Sequence, residues 1–126
     1  MKIAVVIYDN FSLLNLAQIL NALSACQHKV RIYALKEAVQ SAQKACVRAD
    51  VSDDSLYGND AVIVCDGECE DLVYNSIFTA WLRSGAMAKK LAFFGSAHSL
   101  AKIAKFENFS HFESFDEAKF LEFLTD

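Results

Sequence analysis

Ser96 and His98 stand just beyond Gly95, which follows the apolar run KLAFF at residues 90–94. A serine hydroxyl beside an imidazole is a nucleophile with its base, and Asp66 or Asp9 would orient that base. The same residues have a plainer use. Ser96 caps a helix that starts at this turn, and His98 lies on its first turn. Cys65 offers a second chemistry. It closes the run DAVIVC at residues 60–65, and Cys69 follows within CDGEC. A thiol at a strand end near a helix start is a candidate thiolate. The plainer reading is a buried cysteine packing as a small hydrophobe. Cys65 and Cys69 joined by His98 or His111 would bring three soft or borderline donors together. The chain has no paired C-x-x-C element, so no metal site is assigned.

The elements that must position these groups follow from the apolar pattern. Residues 2–8, KIAVVIY, form a continuous run suited to a strand buried on both faces. Ser12 caps a helix that runs to about residue 25, with Leu13, Leu16, Ala17, Leu20 and Leu23 at helical spacing. Residues 29–35 alternate as a strand. Residues 37–51 read as a β-excursion or hairpin, and residues 53–60 as a loop with a short helical turn. Residues 60–65 are a second central strand, and residues 70–84 a helix. Residues 90–94 make a third buried strand, 97–105 a helix, 107–113 an irregular connection and 115–124 an amphipathic helix. Alternating strands and helices predict a mostly parallel sheet covered on both faces, a three-layer α/β/α sandwich of flavodoxin-like character. Ligands of such sheets sit at the carboxyl ends of the strands, here residues 8–10, 65–67 and 94–96.

Composition narrows the classes further. The chain has 126 residues, is 54% hydrophobic and 22% charged, and carries a net charge of −4. It can bury one real core, and wholesale disorder is excluded. An acidic balance argues against a nucleic-acid surface. The apolar run near the start is too short to span a bilayer, and no leader is read there. The four cysteines do not form a disulfide framework, which suggests reduced thiols and a cytoplasmic setting. With no proline and four glycines, turns fall largely to Asn, Asp and Ser. Phe106, Phe109, Phe112, Phe115, Phe120 and Phe123 crowd an acidic final segment. Phe120 and Phe123 fall beside the Phe115-Ala118-Leu121 stripe and widen its apolar face, which is either core or a subunit contact.

YDNFSLLNLAQILNAL, DAVIVCDG and SIFTAWLRSGAMAKKLAFFGSAHSLAKIA, taken in order, resemble the DJ-1/ThiJ/PfpI group of the class I glutamine amidotransferase-like superfamily. The resemblance covers about residues 1–105. It implies a cysteine at a sharp strand-to-helix turn, an acid from the first helix against its sulfur, backbone N–H groups near a Pro-Gly-Gly turn, and a following histidine. Carried onto this chain, the cysteine position is Gly95 and the acidic position is Asn15. Pro-Gly-Gly becomes Cys65-Asp66-Gly67, and the histidine corresponds to His111. The family's closing strand and helices find no counterpart, so residues 1–126 read as a single shortened domain of this kind. Asp9 and Asp66 at strand ends also invite comparison with a phosphoacceptor receiver domain. Asn10 supplies no second carboxylate there, and no partner lysine is identifiable.

Glycine has no nucleophile, and an amide cannot share a proton as a carboxylic acid does. The expected function is therefore non-catalytic: a pseudoenzyme binding a small ligand or protein partner at the old active-site edge, around Asp9, Asn15, Asp66, Gly67, Gly95 and Ser96. The alternatives are a hydrolase or lyase with its nucleophile relocated to Cys65 or Ser96, with His98 and His111 as accessory groups, or a receiver-like signalling module. No cofactor is implied. A homodimer is expected, and neither nucleic acid nor membrane is a partner.

Overall fold

Side chains in residues 3–8, 61–65 and 91–94 are all buried, and each segment lies in the interior of one sheet. The computed structural model describes residues 1–125. Strands β1 (Lys2–Val6), β2 (Lys29–Ala34), β5 (Val51–Ser52), β6 (Ala61–Val64), β7 (Lys90–Phe94) and β8 (Ser110–Phe112) form a sheet ordered β5-β2-β1-β6-β7-β8. All of its pairings are parallel. Strands β3 (Ala38–Gln40) and β4 (Cys46–Arg48) make a separate antiparallel hairpin, as the 37–51 pattern anticipates.

Four helices accompany the sheet: α1 (Leu13–Ser24), α2 (Ser76–Arg83), α3 (His98–Ile103) and α4 (Glu117–Thr125). The chain steps from β1 to β2 in one direction and from β6 through β7 to β8 in the other. Right-handed crossovers then put α1 on the opposite face from α2 and α3. The reversal lies between β1 and β6, the place where open parallel sheets leave a crevice at their carboxyl ends. The expected flavodoxin-like α/β architecture is therefore present. No helix among the described residues is long and apolar enough to cross a membrane.

Local chemistry accounts for several departures from the sequence pattern. The expected helix over 70–84 is broken. A short 3-10 turn at Leu72–Tyr74 is followed by Asn75, whose side chain accepts the Phe78 N–H at 3.0 Å and starts α2 afresh. Residues 53–60 contain a tight turn at Tyr57-Gly58 but no helical turn. The connection 107–113 contains β8, completed by pairing to Ala92, Phe93 and Phe94. The final helix starts at Glu117, with the Phe120 N–H on the Asp116 carbonyl at 2.9 Å. Not all turns use Asn, Asp or Ser, because Lys44 and Lys105 join Asn10 and Asp53 at positive φ.

The crowded phenylalanines of the final segment pack against the core, Phe120 wholly buried and the other five partly so. Phe120 is fully buried and meets Phe94 edge-on at 5.8 Å, while Phe112 stacks on Phe94 at 4.9 Å. Such ring pairs add about 0.5–1.5 kcal/mol each beyond their buried area. They lock β8 and α4 to the sheet and hold the loops at its carboxyl edge in place.

Candidate functional site

The switch point between β1 and β6 is built by three tight connections. After β1 the chain turns at Asn10, which has φ +70°. Phe11 then forms a bridge to Gly67, and the Ser12 N–H donates to the Asp66 carbonyl at 2.7 Å. Ser12 also caps α1, accepting the Asn15 N–H at 3.2 Å. Asn15 is thereby aimed inward from the first turn of α1 and is only 6% exposed. Its Oδ1 accepts the Asp66 N–H at 2.9 Å, so the amide serves as a structural acceptor. Gly67 is required by close backbone approach. A Cβ there would lie 2.7 Å from the Phe11 Cα and 2.8 Å from the Asn10 carbonyl oxygen.

Gly95 opens the turn after β7 with φ +54°, a conformation that disfavours any side chain. The space above it is filled from across the sheet. A Cβ at this position would lie 2.3 Å from Cγ, 2.4 Å from Oδ1 and 2.6 Å from Oδ2 of Asp66. The Asp66 carboxylate thus occupies the volume in which a side chain at the turn would begin. Its Oδ1 also accepts two main-chain N–H groups, Gly67 at 2.8 Å and Ser96 at 3.0 Å. Paired amides from two turns are the usual means of holding a developing oxyanion. Here they are satisfied by a resident carboxylate.

Two histidines close the far side. His98 Nδ1 donates to the Gly95 carbonyl at 3.2 Å, and His111 Nε2 donates to the same oxygen at 3.1 Å. Their rings stack at 4.4 Å. A carbonyl only accepts, so these contacts fix which ring nitrogen carries hydrogen in each. His111 arrives from β8, by the register that sets it opposite Phe93.

The expected site residues are brought together unevenly. Asn15, Asp66, Gly67, Gly95, Ser96, His98 and His111 converge. Asp9 is bonded elsewhere: its carboxylate pairs with Lys36 and accepts the Gln40 N–H at 3.1 Å, tying the β3–β4 hairpin to the end of β1. Partial burial pushes the Asp9 carboxyl up, but the Lys36 hydrogen bond, the Gln40 amide and the Lys36 charge outweigh it and hold its pKa below the ordinary value. Ser96 does not cap a helix. It lies within a 3-10 turn, Gly95–Ala97, and α3 has Ala97 at its cap with no side-chain bond. Nor do the histidines address its hydroxyl, since both turn to Gly95.

The cysteines lie deeper. Cys65 is fully buried, and burial, then the Asp66 charge, push its thiol far above the ordinary range. Cys69 donates to the Tyr8 hydroxyl at 3.3 Å. Burial raises its pKa, and the Asp66 and Glu70 charges add to that against a lowering by the Tyr8 bond. The Tyr8 hydroxyl in turn donates to the Cys65 carbonyl. Burial foremost, then Cys69, Cys65 and Asp66, keep that phenol protonated. Such thiols are packing groups rather than nucleophiles. Sequence reasoning missed the pairing of Asp66 with Gly95. Its only trace was a carboxylate after one strand and a side-chain-free turn after the next.

Comparison with solved structures finds this fold repeatedly. A ThiJ/PfpI family protein from Pseudomonas syringae superposes with TM-score 0.72 at 14% identity over 82% of this chain and 45% of its own. Schizosaccharomyces pombe DJ-1 gives TM-score 0.70 at 11% identity, over 86% of this chain and 65% of its own. A ThiJ/PfpI domain protein from Brachyspira murdochii gives 0.68 at 18% identity, over 82% and 64%. The chain spans about half to two thirds of the length of these structures. No protein-family model matches the sequence, and no curated protein does.

Proposed function

We propose that this chain, which carries the DJ-1/ThiJ/PfpI fold, is a non-catalytic binding domain whose former reaction centre is closed by its own Asp66. The observation that carries this reading is the double occupancy achieved by one carboxylate. It fills the space above Gly95 and takes the N–H groups of Gly67 and Ser96. A reaction centre of this kind needs a nucleophile at that turn and free amide donors beside it. Gly95 supplies no nucleophile, and Asp66 holds the donors. The burial of Cys65 and the bonding of His98 and His111 to the Gly95 carbonyl rather than to the Ser96 hydroxyl argue against a relocated nucleophile.

The surface left at this edge combines the Ser96 hydroxyl, the exposed side of the Asp66 carboxylate and the two imidazoles. It suits a ligand or partner presenting hydrogen-bond donors and a cation. Nuclear magnetic resonance with a library of small amines and amides tests this. Perturbed amides should cluster on Gly67, Ser96, His98 and His111, and Asp66→Ala should abolish the response. Hits scattered over other surfaces would overturn the reading.

Self-association as a twofold dimer belongs to the same proposal. Leu14, Tyr74 and Ile77 present apolar side chains that are 67%, 87% and 74% exposed. Sedimentation equilibrium checks it. A mass of two chains supports a dimer, and a mass of one chain across the concentration range excludes it.

A further inference from the structure

At the opposite end of the sheet, Lys2 and Lys29 begin β1 and β2 and are direct register partners. Arg31 and Tyr33 follow Lys29 at alternate positions, so their side chains share its face. The loop before β6 brings Tyr57, Gly58 and Asn59 over this corner. Together these residues line a cavity of about 120 Å³. That is several times one water's share of liquid volume, about 30 Å³, and well below the roughly 300 Å³ at which pockets for drug-sized molecules begin.

The electrostatics of this corner run against those of the chain. The sequence has 16 acidic and 12 basic residues, yet three cations and no carboxylate line the cavity. The adjacent Asp60 spends Oδ2 on the Lys2 main-chain N–H at 2.8 Å. Among the described residues the ion pair formed is Lys36 with Asp9, remote from this corner, so the side chains of Lys2, Lys29 and Arg31 have no acidic partner. Three cations without a salt-bridge partner line one small concavity and repel one another, and an anion between them offsets that repulsion. Tyr57, 73% exposed at the rim, and Asn59 add neutral donors.

We propose that this cavity binds a compact oxyanion of the phosphate class, with the Arg31 guanidinium and the Lys2 and Lys29 ammonium groups as its ligands. Arginine donates in pairs to two phosphate oxygens, and the lysines act as point charges. The site is independent of the Asp66 edge, and its failure would leave the reading of that edge untouched.

The test is a titration of the labelled protein with orthophosphate, and separately with ribose 5-phosphate, followed by amide resonances at low ionic strength. Saturable shifts at Lys2, Lys29, Arg31 and residues 57–59, with a Kd at or below about 1 mM, are expected. Equal affinity for the two probes marks a free-anion site. Tighter binding of the ester marks a site for the phosphate of a larger molecule. Both support the assignment. Lys29→Gln and Arg31→Gln sit on exposed side chains and should keep the native spectrum, while each weakens binding about tenfold, or about 1.4 kcal/mol. Shifts that do not saturate, that spread over the whole surface, or that keep the same Kd in both variants would overturn the proposal.

Discussion

Gly95→Ala probes the closed turn most sharply. The new Cβ would lie 2.3 Å from Cγ of Asp66. A carboxylate is the free end of a flexible side chain, so it would swing aside and lose the N–H groups of Gly67 and Ser96. Charge-assisted bonds of this sort are worth about 1.5–3 kcal/mol, and rehydration of these half-exposed amides keeps the combined loss within that range. Holding alanine at φ +54° adds about 1–2 kcal/mol of backbone strain. The single variant should therefore be less stable by about 2.5–5 kcal/mol. Asp66→Ala alone loses the same bonds and should cost about 1.5–3 kcal/mol. In the double variant the bonds can be lost only once. It should be no less stable than Gly95→Ala by itself, with a coupling of about 1.5–3 kcal/mol in favour of the pair. Urea unfolding of the four proteins measures this cycle. Additive effects, within about 0.5 kcal/mol, would refute the claim that Asp66 fills the space at the turn.

Other consequences are open to measurement. Gly67→Ala forces a Cβ to 2.7 Å from the Phe11 Cα. Main chain cannot swing aside, so a loss of about 1–3 kcal/mol in urea unfolding is expected, with no relief from Asp66→Ala. In alkylation mapping of the folded protein, exposed Cys46 should label first and buried Cys65 last, even at alkaline pH, because burial keeps the Cys65 thiol protonated. The Asp9 carboxyl is depressed when folded, so its contribution is present above the unfolded pKa of about 3.9 and fades as pH falls through the lower folded value. Carboxyl resonances should show Asp9 titrating below that value and rising toward it in Lys36→Met. At neutral pH that variant should lose under about 1 kcal/mol, since the pair is largely exposed.

Which parts of this molecule are legible in its sequence follows from how local their causes are. KIAVVIY, DAVIVC and KLAFF declare interior strands because no face of them tolerates water. Ser12 declares the start of α1 because its cap bond reaches only to Asn15. Hairpin β3–β4 is similarly local. In contrast, β8 is short and carries an exposed histidine, and it exists through pairing with β7. The break at Asn75 competes with a continuous apolar stripe, and the cap prevails there. The site divides in the same way. Gly95 and Asn15 are readable as positions that supply neither a nucleophile nor an acid. What replaces them depends on Asp66 reaching a turn 29 residues further along the chain. Asp9 is legible as a turn carboxylate beyond β1, but its partner Lys36 comes from the segment leading into the hairpin.

The central claim is that the carboxyl edge of this sheet binds without turning substrate over. Its most direct test is steady-state turnover of activated esters, thioesters and amides by the wild-type protein beside Ser96→Ala and Cys65→Ala. The account predicts rates equal to the uncatalysed background for all three proteins. Saturable turnover by the wild type that disappears in either variant would contradict it.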